Sequence, residues 1–171
     1  MKTIFALICA LLIAGCASYD GRGLKPGVSS LDDVIQLMGE PVMRWQEPDG
    51  GQLLAYPRGP AGFNTYMMTI DGNGLMTSRQ AVLNMKHFAL IREDMTQDQV
   101  LRILGPSVPQ WTVYFERRDE LVWEWRYCDP WNEPARFDVL FDNTSKKVRS
   151  TQSYSESMIK RFREVCGNEP Q

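Results

Sequence analysis

A capped helical pattern occurs twice in this chain, and any fold must house both copies in equivalent settings. Thr96-Gln97-Asp98-Gln99-Val100-Leu101-Arg102-Ile103-Leu104-Gly105 lies over Ser30-Leu31-Asp32-Asp33-Val34-Ile35-Gln36-Leu37-Met38-Gly39 at a shift of 66 residues. Ser30 and Thr96 are N-cap residues whose hydroxyls can accept from an exposed backbone N–H, and Asp33 and Gln99, three positions on, complete capping boxes. Val34, Ile35, Leu37 and Met38, like Val100, Leu101, Ile103 and Leu104, form an apolar stripe. Gly39 and Gly105 then supply a left-handed stop, with a proline close behind.

The match runs past the helix. Trp45 and Trp111 keep the shift of 66; after a loop five residues longer in the second copy the shift becomes 71, laying Leu54-Ala55-Tyr56 on Trp125-Arg126-Tyr127 and Ile70-Asp71 on Phe141-Asp142. This is an internal repeat of a helix followed by strands. Strands are expected over Met43 to Glu47, Gln52 to Tyr56, Asn64 to Asp71 and Leu75 to Ala81, divided by Gly- and Pro-rich turns. Asp71-Gly72-Asn73-Gly74 reads as a hairpin turn and not a calcium loop, because it lacks alternating carboxylates and a closing glutamate. Asn84 to Ile91 is expected to be a short connecting helix. In the second copy, Trp111, Val113 and Phe115, with Trp123, Trp125, Tyr127, Phe137, Val139 and Phe141, alternate onto one apolar face. Ser153 and Glu156 are expected to cap a last helix carrying Met158, Ile159, Phe162 and Val165.

Asp94-Met95-Thr96, Gln99-Val100, Leu104-Gly105 and Trp125-Arg126-Tyr127 resemble the Gly-Met-Thr, Gln-Val, Leu-Gly-x-Pro and Trp-x-Tyr landmarks of the SmpA/OmlA (BamE-like) outer-membrane lipoproteins, here in tandem. Asp94 stands where that family has glycine; the first copy keeps it as Gly27, one residue further from Val34, and has Leu54 for the tryptophan. The resemblance covers roughly Gly27 to Ser150. It implies an α+β fold of two tandem repeats, each with short helices packed on a small antiparallel sheet, similar to each half of the beta-lactamase inhibitor protein. It also implies a non-catalytic protein that works through a surface.

The start of the chain carries an export signal. Lys2 precedes an apolar run from Ile4 to Ile13, too short to span a bilayer, and Leu12-Ile13-Ala14-Gly15-Cys16 is a lipobox. Cleavage before Cys16 leaves that thiol to be acylated, and Ala17 is not the aspartate that retains such proteins in the inner membrane. The expected location is the periplasmic face of the outer membrane, with the membrane itself as first partner. The expected divisions are a signal peptide (1–15), a lipidated tether (16–24), a first repeat (25–82), a second repeat (83–152) and a C-terminal helix and tail (153–171).

Composition bounds the rest. Hydrophobic residues make up 43% and charged residues 23%, enough to fill a core. Nineteen lysines and arginines stand against 21 aspartates and glutamates, which lacks the basic excess of a nucleic-acid binder. Neither a nucleophile elbow, a His-Glu-x-x-His, a Cys-x-x-Cys nor a phosphate-cradling glycine loop is present, so no catalytic residue, metal site or cofactor is expected. His87, the one histidine, reads as a packing residue. Cys9 leaves with the signal peptide and Cys16 is lipidated, so Cys128 and Cys166 are expected to pair in an oxidising compartment.

Opposite the apolar strand face lie Thr112, Tyr114, Glu116, Glu124, Arg126, Arg136, Asp138 and Leu140. Tyr114, Arg126 and Arg136 are the candidate protein-binding anchors, since tyrosine and arginine dominate binding hot spots. The expected function is a protein-binding or scaffolding module in outer-membrane protein assembly or envelope integrity, its partner the barrel-assembly machinery. The alternative is an inhibitor-like protein clasping a periplasmic hydrolase.

Overall fold

The computed structural model describes residues 20–59, 62–158 and 165–166. These form strands β1 (Met43–Gln46), β2 (Gln52–Pro57), β3 (Thr65–Ile70) and β4 (Met76–Ala81) in one antiparallel sheet, and β5 (Val113–Phe115), β6 (Glu120–Cys128), β7 (Pro134–Asp142) and β8 (Val148–Ser155) in a second, each in chain order. Helices α1 (Leu31–Met38), α2 (Met85–Phe88) and α3 (Gln97–Leu104) are short. The expected α+β class, with helices packed on each sheet repeat by repeat, is therefore overturned: the molecule is mostly β. Two-turn helices are too small to form a layer, and α3 is shared by both sheets. Ser153, expected to open a last helix, instead pairs with Phe137 inside β8. Residues 159–164 of the expected last helix, the signal peptide and Cys16 lie outside the described residues, and Val165 is not helical.

The repeat is real at the level of hydrogen bonds. Ser30 Oγ accepts from Asp33 N–H (3.2 Å) while Asp33 Oδ2 accepts from Ser30 N–H (2.7 Å), and Thr96 with Gln99 does the same at 3.3 and 2.8 Å. Each helix start is also tied to its sheet: Met76 N–H donates to Ser29 O and Val148 N–H to Met95 O. Gly39 and Gly105 end the helices at φ 81° and 70° with ψ near 180°, a region essentially reserved for glycine and distinct from the left-handed helical stop expected. An aromatic side chain reaches each stop: Tyr56 Oη donates to Gly39 O (3.0 Å), and Trp125 Nε1 donates to Gly105 O (3.2 Å).

The two copies differ in what they cover. Val34 and Met38 of α1 pack with Leu54, Tyr56, Met68 and Ile70 on one face of the first sheet. The other face of that sheet, Ala55 and Met67 with Met43, Trp45 and Leu53, joins Val100 and Leu104 of α3 and the aromatic face of the second sheet in one larger core. Trp45 Nε1 donates to Asp98 Oδ1 (2.9 Å), and Arg102 bridges Asp98 and Glu47. The first sheet is thus covered on both sides, which is why β2 and β3 bury residues pointing both ways.

Candidate interaction surface

The outer face of the second sheet was expected to be an open contact surface, and it is largely covered. Register sets Arg126 opposite Arg136 and Glu124 opposite Asp138, like charges facing like. The pairing is resolved on the diagonals and from beyond the sheet. Arg136 Nη1 donates to Glu124, while Glu156, just past β8 and only 2% exposed, accepts from Arg126 through Nε (2.7 Å) and Nη2 (2.9 Å) and from Arg136 Nε (2.5 Å). Aromatic rings close the site: the Arg126 guanidinium lies 4.4 Å from the Phe63 ring centroid, and that of Arg136 lies 3.5 Å from the Trp111 centroid. β8 completes it, Tyr154 Oη donating to Glu124 Oε2 (2.6 Å) and Gln152 Nε2 to Asp138 Oδ2 (2.8 Å). Burial, with the neighbouring charge of Glu124, pushes Asp138 up to about 6, and burial together with Glu124 raises the Tyr154 phenol well above its usual range.

Arg126 and Arg136 are thus brought together, but under the C-terminal turn. Tyr114 is not with them. Its cross-strand partner is Leu121, which packs toward the core, whereas Val113 faces Val122 and Phe115 faces Glu120. Trp111 falls in a 3₁₀ turn (Pro109–Trp111), so the strand begins late and its alternation is inverted relative to the expected one. Tyr114 is 49% exposed, and its hydroxyl donates to Asp119 Oδ1 (3.1 Å); Val113 and Phe115 are exposed as well. Among the described residues β5 is an edge strand with no further partner, so these three consecutive large apolar residues stand on a border of the sheet. Trp131, 78% exposed, tips the β6–β7 hairpin, where Asp129 Oδ1 accepts from the backbone N–H of Trp131 and of Glu133, both at 2.9 Å.

A cavity of about 180 Å³ lies where the repeats meet, with Val42, Pro57, Leu83, Val108 and Trp125 in its walls and Arg126 on its border. His87 is held by Asn84 Oδ1 (3.0 Å) and Gln80 Oε1 (3.1 Å), and burial lowers its pKa. Cys128 and Cys166 form a disulfide with Cα atoms 6.0 Å apart, and Cys166 N–H donates to Asn132 O (3.0 Å), so the chain beyond β8 is stapled to this hairpin. No helix among the described residues is long and apolar enough to cross a membrane. Sequence reasoning missed Glu156 as the partner of both arginines, having used it as a capping residue. The strand alternation did place Glu124 and Asp138 on the arginine face, but not opposite each other.

No protein-family model matches the chain, and no curated protein matches it. Among solved structures it is similar to a candidate beta-lactamase inhibitor protein from Streptococcus mutans, at 12% identity and a TM-score of 0.34, over 74% of this chain and 82% of that one. It is also similar to an extracellular protein containing an SCP domain from Bacillus anthracis, at 9% identity and a TM-score of 0.26, over 85% of this chain and 48% of that one. The SmpA/OmlA resemblance therefore rests on its short motifs.

Proposed function

We propose that this protein is an outer-membrane lipoprotein, held on the periplasmic face through Cys16, that acts as a non-catalytic protein-binding module. The observation that carries the binding reading is β5, where Val113, Tyr114 and Phe115 are all exposed on a sheet edge. An edge strand with an apolar side chain on each face fits an extended segment of another protein, whose backbone can pair with the open side while its side chains meet Tyr114 or Phe115. The lipobox supports the anchor, and the Cys128–Cys166 disulfide suits an oxidising compartment.

Capture from detergent-solubilised envelopes tests the reading, comparing the parent chain with Tyr114→Asp and with Cys16→Ser. Barrel-assembly subunits among the captured proteins support the scaffolding role, and a single hydrolase supports the inhibitor role instead. Equal capture by Tyr114→Asp removes β5 as the contact strip. Unchanged processing and membrane fractionation of Cys16→Ser removes the anchor.

A further inference from the structure

The cluster under the C-terminal turn contains three carboxylates, Glu124, Asp138 and Glu156, against two guanidiniums, Arg126 and Arg136. Its other polar members are Gln152 and Tyr154 on β8, both donors into it. Among the described residues one carboxylate is thus in excess, and its location is marked. Asp138 is 3% exposed, and while Oδ2 accepts from Gln152, Oδ1 is buried with no donor among the described residues. An ionised carboxylate leaves such an oxygen unsatisfied at a cost of about 1–3 kcal/mol or more. Glu124 stands directly opposite, and as an ionised acceptor it cannot help. A proton on the pair removes both problems, because a protonated Asp138 turns the orphan oxygen into a donor toward Glu124.

We infer that Glu124 and Asp138 hold one proton between them, taken from solvent, and that releasing it loosens β8 and the turn at Glu156. Without the proton, two charged carboxylates face each other across a strand pair, with Arg136 bridging Glu124 to Glu156. Of the elements around the cluster, β8 is the one able to give way: it is an edge strand, and Arg149 to Ser153 are exposed. Its donors Gln152 and Tyr154 and the adjoining Glu156 would move with it. The pair is therefore a proton-operated latch on the segment stapled by Cys166.

The test is a carboxyl-carbon NMR titration of the full chain in detergent, paired with amide hydrogen exchange. A transition of Asp138 near pH 6 is expected, and it should be absent in Asp138→Asn, whose amide can donate to Glu124 without titrating. Linkage between about 4 in the open segment and about 6 in the closed one predicts that opening of β8 rises about 20-fold from pH 4.5 to pH 7.5, after correction for intrinsic exchange. Asp138→Asn should abolish most of that rise. If Asp138→Asn fails to fold, Glu124→Gln serves in the same two measurements, and the Asp138 transition should then fall below pH 6 because the facing charge is gone. Titration of both carboxyls below pH 4.5 overturns the shared proton, and unchanged β8 exchange alongside a transition near pH 6 overturns the latch.

Discussion

Gly27 and Asp94 occupy the same place in the two repeats: both have positive φ, 74° and 64°, and each donates its N–H into the sheet, Gly27 to Met76 O (2.8 Å) and Asp94 to Val148 O (2.9 Å). Asp94 therefore adopts a left-handed conformation that glycine takes freely. Its ion pair with Lys147, at 3.9 Å, is exposed at both ends.

Asp94→Gly is expected to stabilise the protein. Relief of the left-handed strain outweighs the extra freedom of glycine in the unfolded chain, leaving about 0.5–1 kcal/mol. Thermal melts should show Tm rising by roughly 2 °C, whereas Asp94→Val should lower it.

Gly105→Ala and Gly39→Ala should differ although their backbones match. A Cβ at Gly39 meets nothing within 4 Å, but one at Gly105 would lie 2.6 Å from Thr65 Cγ2 in the first sheet. Backbone strain of about 1–3 kcal/mol is common to both, and overpacking adds about 1–3 kcal/mol at Gly105 alone. Urea midpoints of the two variants measure the gap, and equal losses would mean that the repeats do not abut at this point.

Glu156→Ala should cost about 3–5 kcal/mol, since it takes a buried, shared carboxylate from two partly buried guanidiniums. Tyr114→Ala, at an exposed edge, should stay within about 0.5 kcal/mol of the parent. Denaturant titration distinguishes the two, and with them the covered face from the open border.

Reduction of Cys128–Cys166, or Cys166→Ser, should destabilise the native state by about 4 kcal/mol in the chain-entropy model for a sequence separation of 38 residues. Alkylation of the unreduced, denatured protein should label neither cysteine.

The pH profile has two limbs of opposite sign. The backbone N–H of Ser145, with Arg149, holds Asp142 down at about 2, and Asp33, Asp98 and Asp119 are lowered as well. Their contribution is present above about 4 and is lost as pH falls through the folded values. Asp138, raised to about 6, works the other way: its contribution is full below about 4 and is lost as pH rises through 6. The urea midpoint should therefore be higher at pH 5 than at either pH 2.5 or pH 7.5. Asp138→Asn should flatten only the neutral limb.

Local rules were legible in the sequence because they depend on near neighbours. The capping boxes at Ser30 and Thr96, the hairpin at Asp71, where Oδ1 accepts from Asn73 and Leu75 N–H, and the first four strands all came from short-range pattern. β8 was hidden because Arg149 to Ser153 is polar throughout, and its pairing with β7 is set by tertiary position. Trp111 misled the reading of Tyr114, because a tryptophan that is a strand residue in the first copy (Trp45) belongs to a 3₁₀ turn in the second. The burial of Arg126 and Arg136 depended on Phe63 from the other repeat and on Glu156, neither of which a strand period can announce.

The shared position of α3 orders events during synthesis. A chain emerging N-terminus first completes β4 at Ala81 while Ala55, Met67, Leu53 and Trp45 still lack their cover, which arrives only with Val100 and Leu104. Until then the first sheet is a half-finished object with an apolar back turned to solvent. A fragment ending between the repeats should carry that liability permanently, so the duplication yields two copies of a pattern but one unit of inheritance.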